Sequence, residues 1–187
     1  MKKAFALLTV LLLLTACGKT EDAPAPVPAQ PETAVTELLC DFAAEDLNGN
    51  AVDETVFSGC KVTMVNVWAT FCSPCIREMP DLAALNRDLA ADGFQIIGIP
   101  VDVTDYNMEK IPALITAAED IIAQTGADYR HLLPSESLNR AFLNEVQVVP
   151  TTVFVNEKGE QLGEVYTGAR SAEQWSVIIE SLLGSAE

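Results

Sequence analysis

The chain has 187 residues, 49% hydrophobic and 20% charged, which suits one ordinary globular domain and excludes a large multidomain assembly. Its 11 Lys and Arg stand against 27 Asp and Glu, a formal charge of -16. Such a field repels phosphate backbones and no basic cluster offsets it, so nucleic acid is not an expected partner. Five cysteines beside a single histidine argue against a His-rich metal site and put thiol chemistry first.

Lys2 and Lys3 form a charged start, and the 11-residue apolar run from Ala4 to Leu14 is too short to cross a bilayer as a helix. The segment reads as a signal peptide. It closes with Leu14-Thr15-Ala16-Cys17, which resembles the bacterial lipobox, where Cys17 is diacylated and becomes the mature N-terminus. The alternative is an ordinary cleaved signal with an incidental cysteine. On the lipobox reading residues 1–17 are removed up to Cys17, four other cysteines remain, and the mature charge is -18, from 9 basic and 27 acidic residues. Residues 18–37 carry Pro24, Pro26, Pro28 and Pro31 and almost nothing large and apolar, so they predict a Pro/Ala-rich tether. The location implied is extracytoplasmic, lipid-anchored to the bacterial cell membrane. Residues 38–187 show no internal repeat and no second boundary.

Within that domain, 38–47 and 51–53 predict short strands around the turn signal Asn48-Gly49-Asn50. Residues 61–68 form a β-branched run that reads as a central strand. A helix is expected over 73–91, a strand over 94–102, and helices over 108–124 and 138–145. Residues 151–155 and 161–166 predict a hairpin around Asn156-Glu157-Lys158-Gly159. Ser171 with Gln174 three residues on has the form of a capping box opening a last helix to about Leu183. The alternation implies an α/β domain, a mixed central sheet with helices on both faces and an N-terminal hairpin extension.

The chemistry sits in Trp68-Ala69-Thr70-Phe71-Cys72-Ser73-Pro74-Cys75. Two cysteines three apart, where a strand gives way to a helix, bring both sulfurs to the helix's first turn. There free N–H groups and the positive end of the helix dipole stabilise a thiolate. Cys72 at the exposed tip is the expected nucleophile and Cys75 the resolving thiol. A zinc half-site would need a second ligand pair, which the spacing of Cys40 and Cys60 does not supply, so no metal is expected.

At these residues the chain resembles the thioredoxin-like superfamily, and more narrowly the membrane-tethered TlpA/ResA-type disulfide reductases. The resemblance spans about 38–183 and rests on Asp41-Phe42, Leu47-Asn48-Gly49, the Trp-Ala-x-x-Cys-x-x-Cys run, Glu78-Met79-Pro80 and Val149-Pro150-Thr151-Thr152-Val153-Phe154. It implies a thioredoxin-like fold with a cis peptide before Pro150, facing the two cysteines, and Val149 offering its backbone to an extended substrate. It also places Trp68, Ser73 and Pro74 among the substrate contacts, Trp68 packing beside the disulfide.

Where thioredoxin buries an aspartate six residues before the first cysteine, this chain has Asn66, which cannot titrate. On a helical wheel Glu78 falls in the stripe of Leu82, Leu85 and Leu89, with Cys75 nearby, which makes it a candidate proton carrier of raised pKa. The alternative is a solvated residue beside Arg77, and a kink at Pro80 would rotate the wheel. Cys40 and Cys60 flank the first hairpin; a structural disulfide is expected, an auxiliary redox pair being the alternative. His131 is expected to be structural or at the surface, Trp175 to be ordinary packing, and Glu119, Asp120 and Asp128 to be a solvated face.

The expected protein is thus a monomeric, lipid-anchored thiol-disulfide oxidoreductase, without a cofactor, that reduces protein disulfides with electrons from a membrane thiol donor. Cytochrome c maturation and support of methionine sulfoxide reductase are suitable settings. A disulfide-forming oxidase would share every residue named, since direction is set by reduction potential. A non-catalytic metal- or haem-handling relative is a further alternative. A peroxiredoxin is disfavoured, because Ala69 stands where its motif needs Thr or Ser.

Overall fold

The computed structural model describes residues 36–185; the expected signal peptide, Cys17 and nearly all of the tether lie outside them. A small hairpin comes first, β1 (Ala43–Glu45) against β2 (Ala51–Asp53). Its turn is organised by Asp46, whose carboxylate accepts the backbone N–H groups of Asn48 and Asn50 at 3.0 and 2.9 Å. The strand expected over 38–47 shrinks to three residues because the chain before it curls around a later turn. Leu39 donates its N–H to Gly159 O, and Leu39 and Phe42 plunge into the core.

The main sheet has five strands in the order β5-β4-β3-β6-β7. These are β3 (Val62–Trp68), β4 (Phe94–Pro100), β5 (Arg130–His131), β6 (Thr151–Val155) and β7 (Gln161–Thr167). β3 is parallel to β4 and antiparallel to β6, so the sheet is mixed as expected. Every residue of β3 is buried, as the β-branched run requires of a strand covered on both faces.

The helices are α1 (Ser73–Asp88), α2 (Pro112–Thr125), α3 (Glu136–Ala141) and α4 (Ala172–Ser185). α2 starts four residues later than the pattern suggests: Met108 has φ 63, outside the helical region, and Pro112 opens the helix, where its missing N–H costs nothing. α3 is capped by Ser135 Oγ and yields to a 3-10 turn at Leu143–Glu145. Ser171 and Gln174 exchange the two bonds of a capping box ahead of α4.

The period-two alternation of the strands divides the core into two layers. Val62, Met64 and Trp68 of β3 face α1, α2 and α4. Val65 and Val67 face the other layer, made of α3, the hairpin and Phe57. α1 therefore starts at the C-terminal end of β3 and runs back over the sheet, which sets its first turn at one end of the sheet.

Candidate active site

Cys72 caps α1, and the two sulfurs are joined in a Cys72–Cys75 disulfide with Cα atoms 5.3 Å apart. Cys75 N–H points at Cys72 Sγ at 3.2 Å, and Ile76 N–H bonds Cys72 O at 3.1 Å. Pro74 brings no donor of its own, and the first turn holds no acidic residue. A thiolate at Cys72 would thus meet a directed N–H and an unopposed helix dipole. Cys75 is fully buried; Cys72, at the tip, is 5% exposed in the disulfide, less open than its position suggested, while Ser73 and Pro74 are exposed beside it.

The loop before α1 is held by Asp102, just beyond β4. Its carboxylate accepts from Thr70 N–H at 3.1 Å and Thr70 Oγ at 2.5 Å. Nothing in the local sequence marked Asp102, because its partner is 32 positions away. Pro150 follows a cis Val149–Pro150 bond at the entry to β6 and is buried, with Val149 half-buried beside it. β6 lies next to β3, so this bond and the CxxC turn share one end of the sheet.

Glu78 is 4% exposed on the inner face of α1, and Pro80 leaves α1 continuous with Glu78, Met79, Leu82 and Leu85 all buried. Three donors reach its carboxyl: Asn66 Nδ2 at 3.3 Å, Arg170 N–H at 3.0 Å and Trp175 Nε1 at 3.3 Å. Burial outweighs these bonds and the Arg170 charge and pushes the carboxyl pKa up. Trp175, expected only to pack, is therefore part of this cluster, and the Arg170 guanidinium lies 5.1 Å from its ring centroid. Asn66 also donates to Thr152 Oγ at 3.1 Å, while its Oδ1 has no partner.

Two expectations are corrected. Trp68 is completely buried and cannot touch a substrate; its Nε1–H donates to His131 Nδ1 at 3.3 Å. His131 is 4% exposed, bonds Ala127 O through Nε2 at 3.0 Å and stacks on Tyr129, and burial pushes its pKa down to about 4. It is structural, but deep in the core rather than on the surface. The expected Cys40–Cys60 bridge is not formed: both are free thiols. They sit on separately anchored turns, Cys40 beside Leu39 and Gly159, Cys60 bonded to Phe57 O. Burial raises both thiol pKa values, and Glu37, Glu160 and Glu54 raise that of Cys40 further. Glu119, Asp120 and Asp128 are exposed as expected.

Strand, helix-capping disulfide, buried glutamate and cis proline at one sheet end define a thioredoxin-like thiol-disulfide oxidoreductase. The chain belongs to the AhpC/TSA family, whose pattern matches residues 35–160. It is 26% identical over 144 residues to the thiol-disulfide oxidoreductase ResA of Halalkalibacterium halodurans, covering 77% of this chain and 74% of that one. The ResA of Bacillus subtilis is 27% identical over 129 residues, 68% and 64% of the two chains. Among solved structures, a thioredoxin-family thiol:disulfide interchange protein from Chlorobium tepidum superposes with a TM-score of 0.63 at 25% identity, over 76% of this chain and 93% of that one. A DsbF homologue from Corynebacterium diphtheriae gives 0.63 at 23% identity, over 81% and 90%.

Proposed function

We propose that the protein works as a reductase of protein disulfides, outside the cytoplasm and tethered through a lipid on Cys17. The observation that carries the exchange chemistry is the Cys72–Cys75 pair at the tip of α1 with Glu78, a buried carboxyl of raised pKa, one turn beyond Cys75, which suits deprotonation of a resolving thiol. In the reduced enzyme the Cys72 thiolate attacks one sulfur of a substrate disulfide, and the other sulfur leaves as a thiolate. Glu78 then takes the Cys75 proton. The Cys75 thiolate attacks Cys72 Sγ, the second substrate sulfur leaves, and the Cys72–Cys75 disulfide remains. Two electrons have passed to the substrate, and a membrane dithiol returns them in a second exchange. Val149, whose N–H and C=O bond nothing among the described residues, lines the path of an extended substrate, with Ser73 and Pro74 at its edge. Pro150 holds that segment against the CxxC turn. The domain acts as a monomer.

The potential of the Cys72/Cys75 couple separates reductase from oxidase, since about 30 mV corresponds to 1.4 kcal/mol for two electrons. A value near that of thioredoxin is expected; one near those of strong oxidants would reverse the direction. Cys72→Ser should abolish turnover of an insulin-type disulfide, while Cys75→Ser should accumulate mixed disulfides. Equal retention of activity in both variants, or mixed disulfides that form in Cys72→Ser and not in Cys75→Ser, would remove Cys72 as the nucleophile.

A further inference from the structure

Glu78 belongs to α1, but two of the donors that hold it come from the far end of the chain. Arg170 N–H at 3.0 Å and Trp175 Nε1 at 3.3 Å meet on the same oxygen, Oε2, while Asn66 Nδ2 bonds Oε1. Directed donors on both oxygens fix the plane of the carboxyl. Arg170 lies between β7 and α4 and Trp175 in the first turn of α4, so that plane depends on the shape of the turn joining the two elements.

The Arg170 side chain holds that turn. Its guanidinium donates to Thr167 O at 3.2 Å and to Gly168 O at 2.9 Å, and its Cζ lies 4.9 Å from the ring centroid of Tyr166 and 5.1 Å from that of Trp175. Gly168, at φ 80, turns its own N–H onto Pro150 O at 2.8 Å. One half-buried side chain thus ties together the cis-proline, Trp175 and the Glu78 carboxyl. Capping of α4 does not require it, because Ser171 and Gln174 supply the capping box. No carboxylate forms an ion pair with Arg170 among the described residues, so its charge is not spent on a surface partner.

We propose that Arg170 is the positioning residue of the proton step: its guanidinium clamps the 167–170 turn, and the clamp holds the Glu78 carboxyl in the orientation from which it takes the Cys75 proton. The proposal rests on the exchange reading, in which Glu78 deprotonates Cys75, and adds the residue that readies it. In this step the proton passes from Cys75 Sγ to a carboxylate oxygen and no electron moves. The charge of Arg170 works in the same direction, opposing the burial that favours the protonated carboxyl. The other groups around Glu78 do not duplicate it. Asn66 of β3 and Trp175 of α4 do not titrate, and Arg77, next to Glu78 on α1, is exposed. Tyr129, ahead of β5, has its phenol pKa raised by burial and then by the Glu78 charge, so it stays neutral. His131, stacked on Tyr129, is neutral above a pKa of about 4, and Cys72 and Cys75 are the exchanging thiols themselves.

The test is stopped-flow reaction of the reduced full chain with dithiobis(nitrobenzoate) across pH. Attack by Cys72 releases one thionitrobenzoate at a rate proportional to reagent; attack by Cys75 on the mixed disulfide releases the second at a rate independent of reagent, which sets it apart from the reactions of the other thiols. Arg170→Gln should slow the reagent-independent phase about tenfold and leave the Cys72 phase as in wild type. The pH midpoint of the slowed phase should move up, because the carboxylate has lost the cation that favours it. Arg170→Lys keeps a charge without the planar fork, so it should recover the midpoint and only part of the rate. In a Glu78→Gln background, where resolution is already slow, Arg170→Gln should slow it no further. Superimposable profiles of the second phase in wild type and Arg170→Gln, or the same fold-loss with and without the Glu78 carboxyl, would overturn the positioning role and leave the exchange reading intact. A wild type with no reagent-independent phase, or one that persists in Cys75→Ser, would instead sink the exchange reading and the proposal with it.

Discussion

At the scale of single residues, Glu78 is held by three donors and still favours its proton, because its carboxyl is closed off from water. Its folded pKa lies above the unfolded value of 4.5, so the folded state holds the proton longer, and the stability this gives is lost as pH rises through the folded pKa. Glu78→Gln should then match or exceed wild type in thermal stability at pH 7.5, with the difference closing toward pH 4. The new amide finds an acceptor if Asn66 turns over and presents its unpartnered Oδ1. Glu78→Leu strands all three donors and should cost roughly 2 kcal/mol or more at every pH. Alkylation of Cys72 should shift to lower pH in Glu78→Gln, since the carboxylate that raises the thiol pKa is gone; superimposable profiles would end the proton role of Glu78. His131 behaves in the opposite sense. Its pKa is depressed from 6.5 to about 4, so below pH 6.5 the unfolded chain binds a proton that the folded one refuses. Wild type should lose on the order of 3 kcal/mol between pH 6.5 and 4 from this group. Urea unfolding of His131→Gln across that window should show a shallower decline, and identical slopes would contradict the assignment.

At the scale of elements, strands β3, β4 and β6, helix α1 and the capping box before α4 follow from local pattern, because each is fixed by apolar alternation or by a cap within a few residues. β5 could not be read this way: its two residues become a strand only by pairing with Ile97 and Gly98 of β4. The same applies to the site. The CxxC turn and Glu78 were legible from spacing, whereas Asp102, Arg170 and Trp175 join it from 32, 92 and 97 positions away. Nor could spacing show that Cys40 and Cys60 remain unbonded. The β4–β5 contact carries a sharp constraint at Gly98, where an added Cβ would stand 2.2 Å from His131 Nδ1. Gly98→Ala must displace the imidazole that accepts from Trp68 Nε1, leaving a buried indole N–H unpaired. The expected cost is about 1–3 kcal/mol in chemical denaturation, with an altered Trp emission spectrum. An unchanged midpoint and spectrum would mean that the His131 ring is free to move aside.

At the scale of the whole molecule, none of the helices among the described residues is long and apolar enough to cross a membrane; the attachment proposed above is through the lipobox-like Cys17. Native protein should therefore partition with membranes and carry a diacylglycerol adduct by intact mass, because two chains give stable anchoring where one does not. A soluble, unmodified N-terminus would refute this. The place where the chain joins the domain then matters. Thr36 O accepts from Gln161 N–H, and Leu39 N–H bonds Gly159 O, so the polypeptide enters at the β6–β7 turn. Pro150 and Cys72 lie at the other end of β6 and β3, about 20 Å away at the rise of an extended strand. On that proposal, tension along the N-terminal segment would load those two hydrogen bonds at the rear of the sheet first and peel residues 36–39 before it strained the sulfurs. The point of entry and the reacting sulfurs are thus mechanically separate, at opposite ends of the same strands.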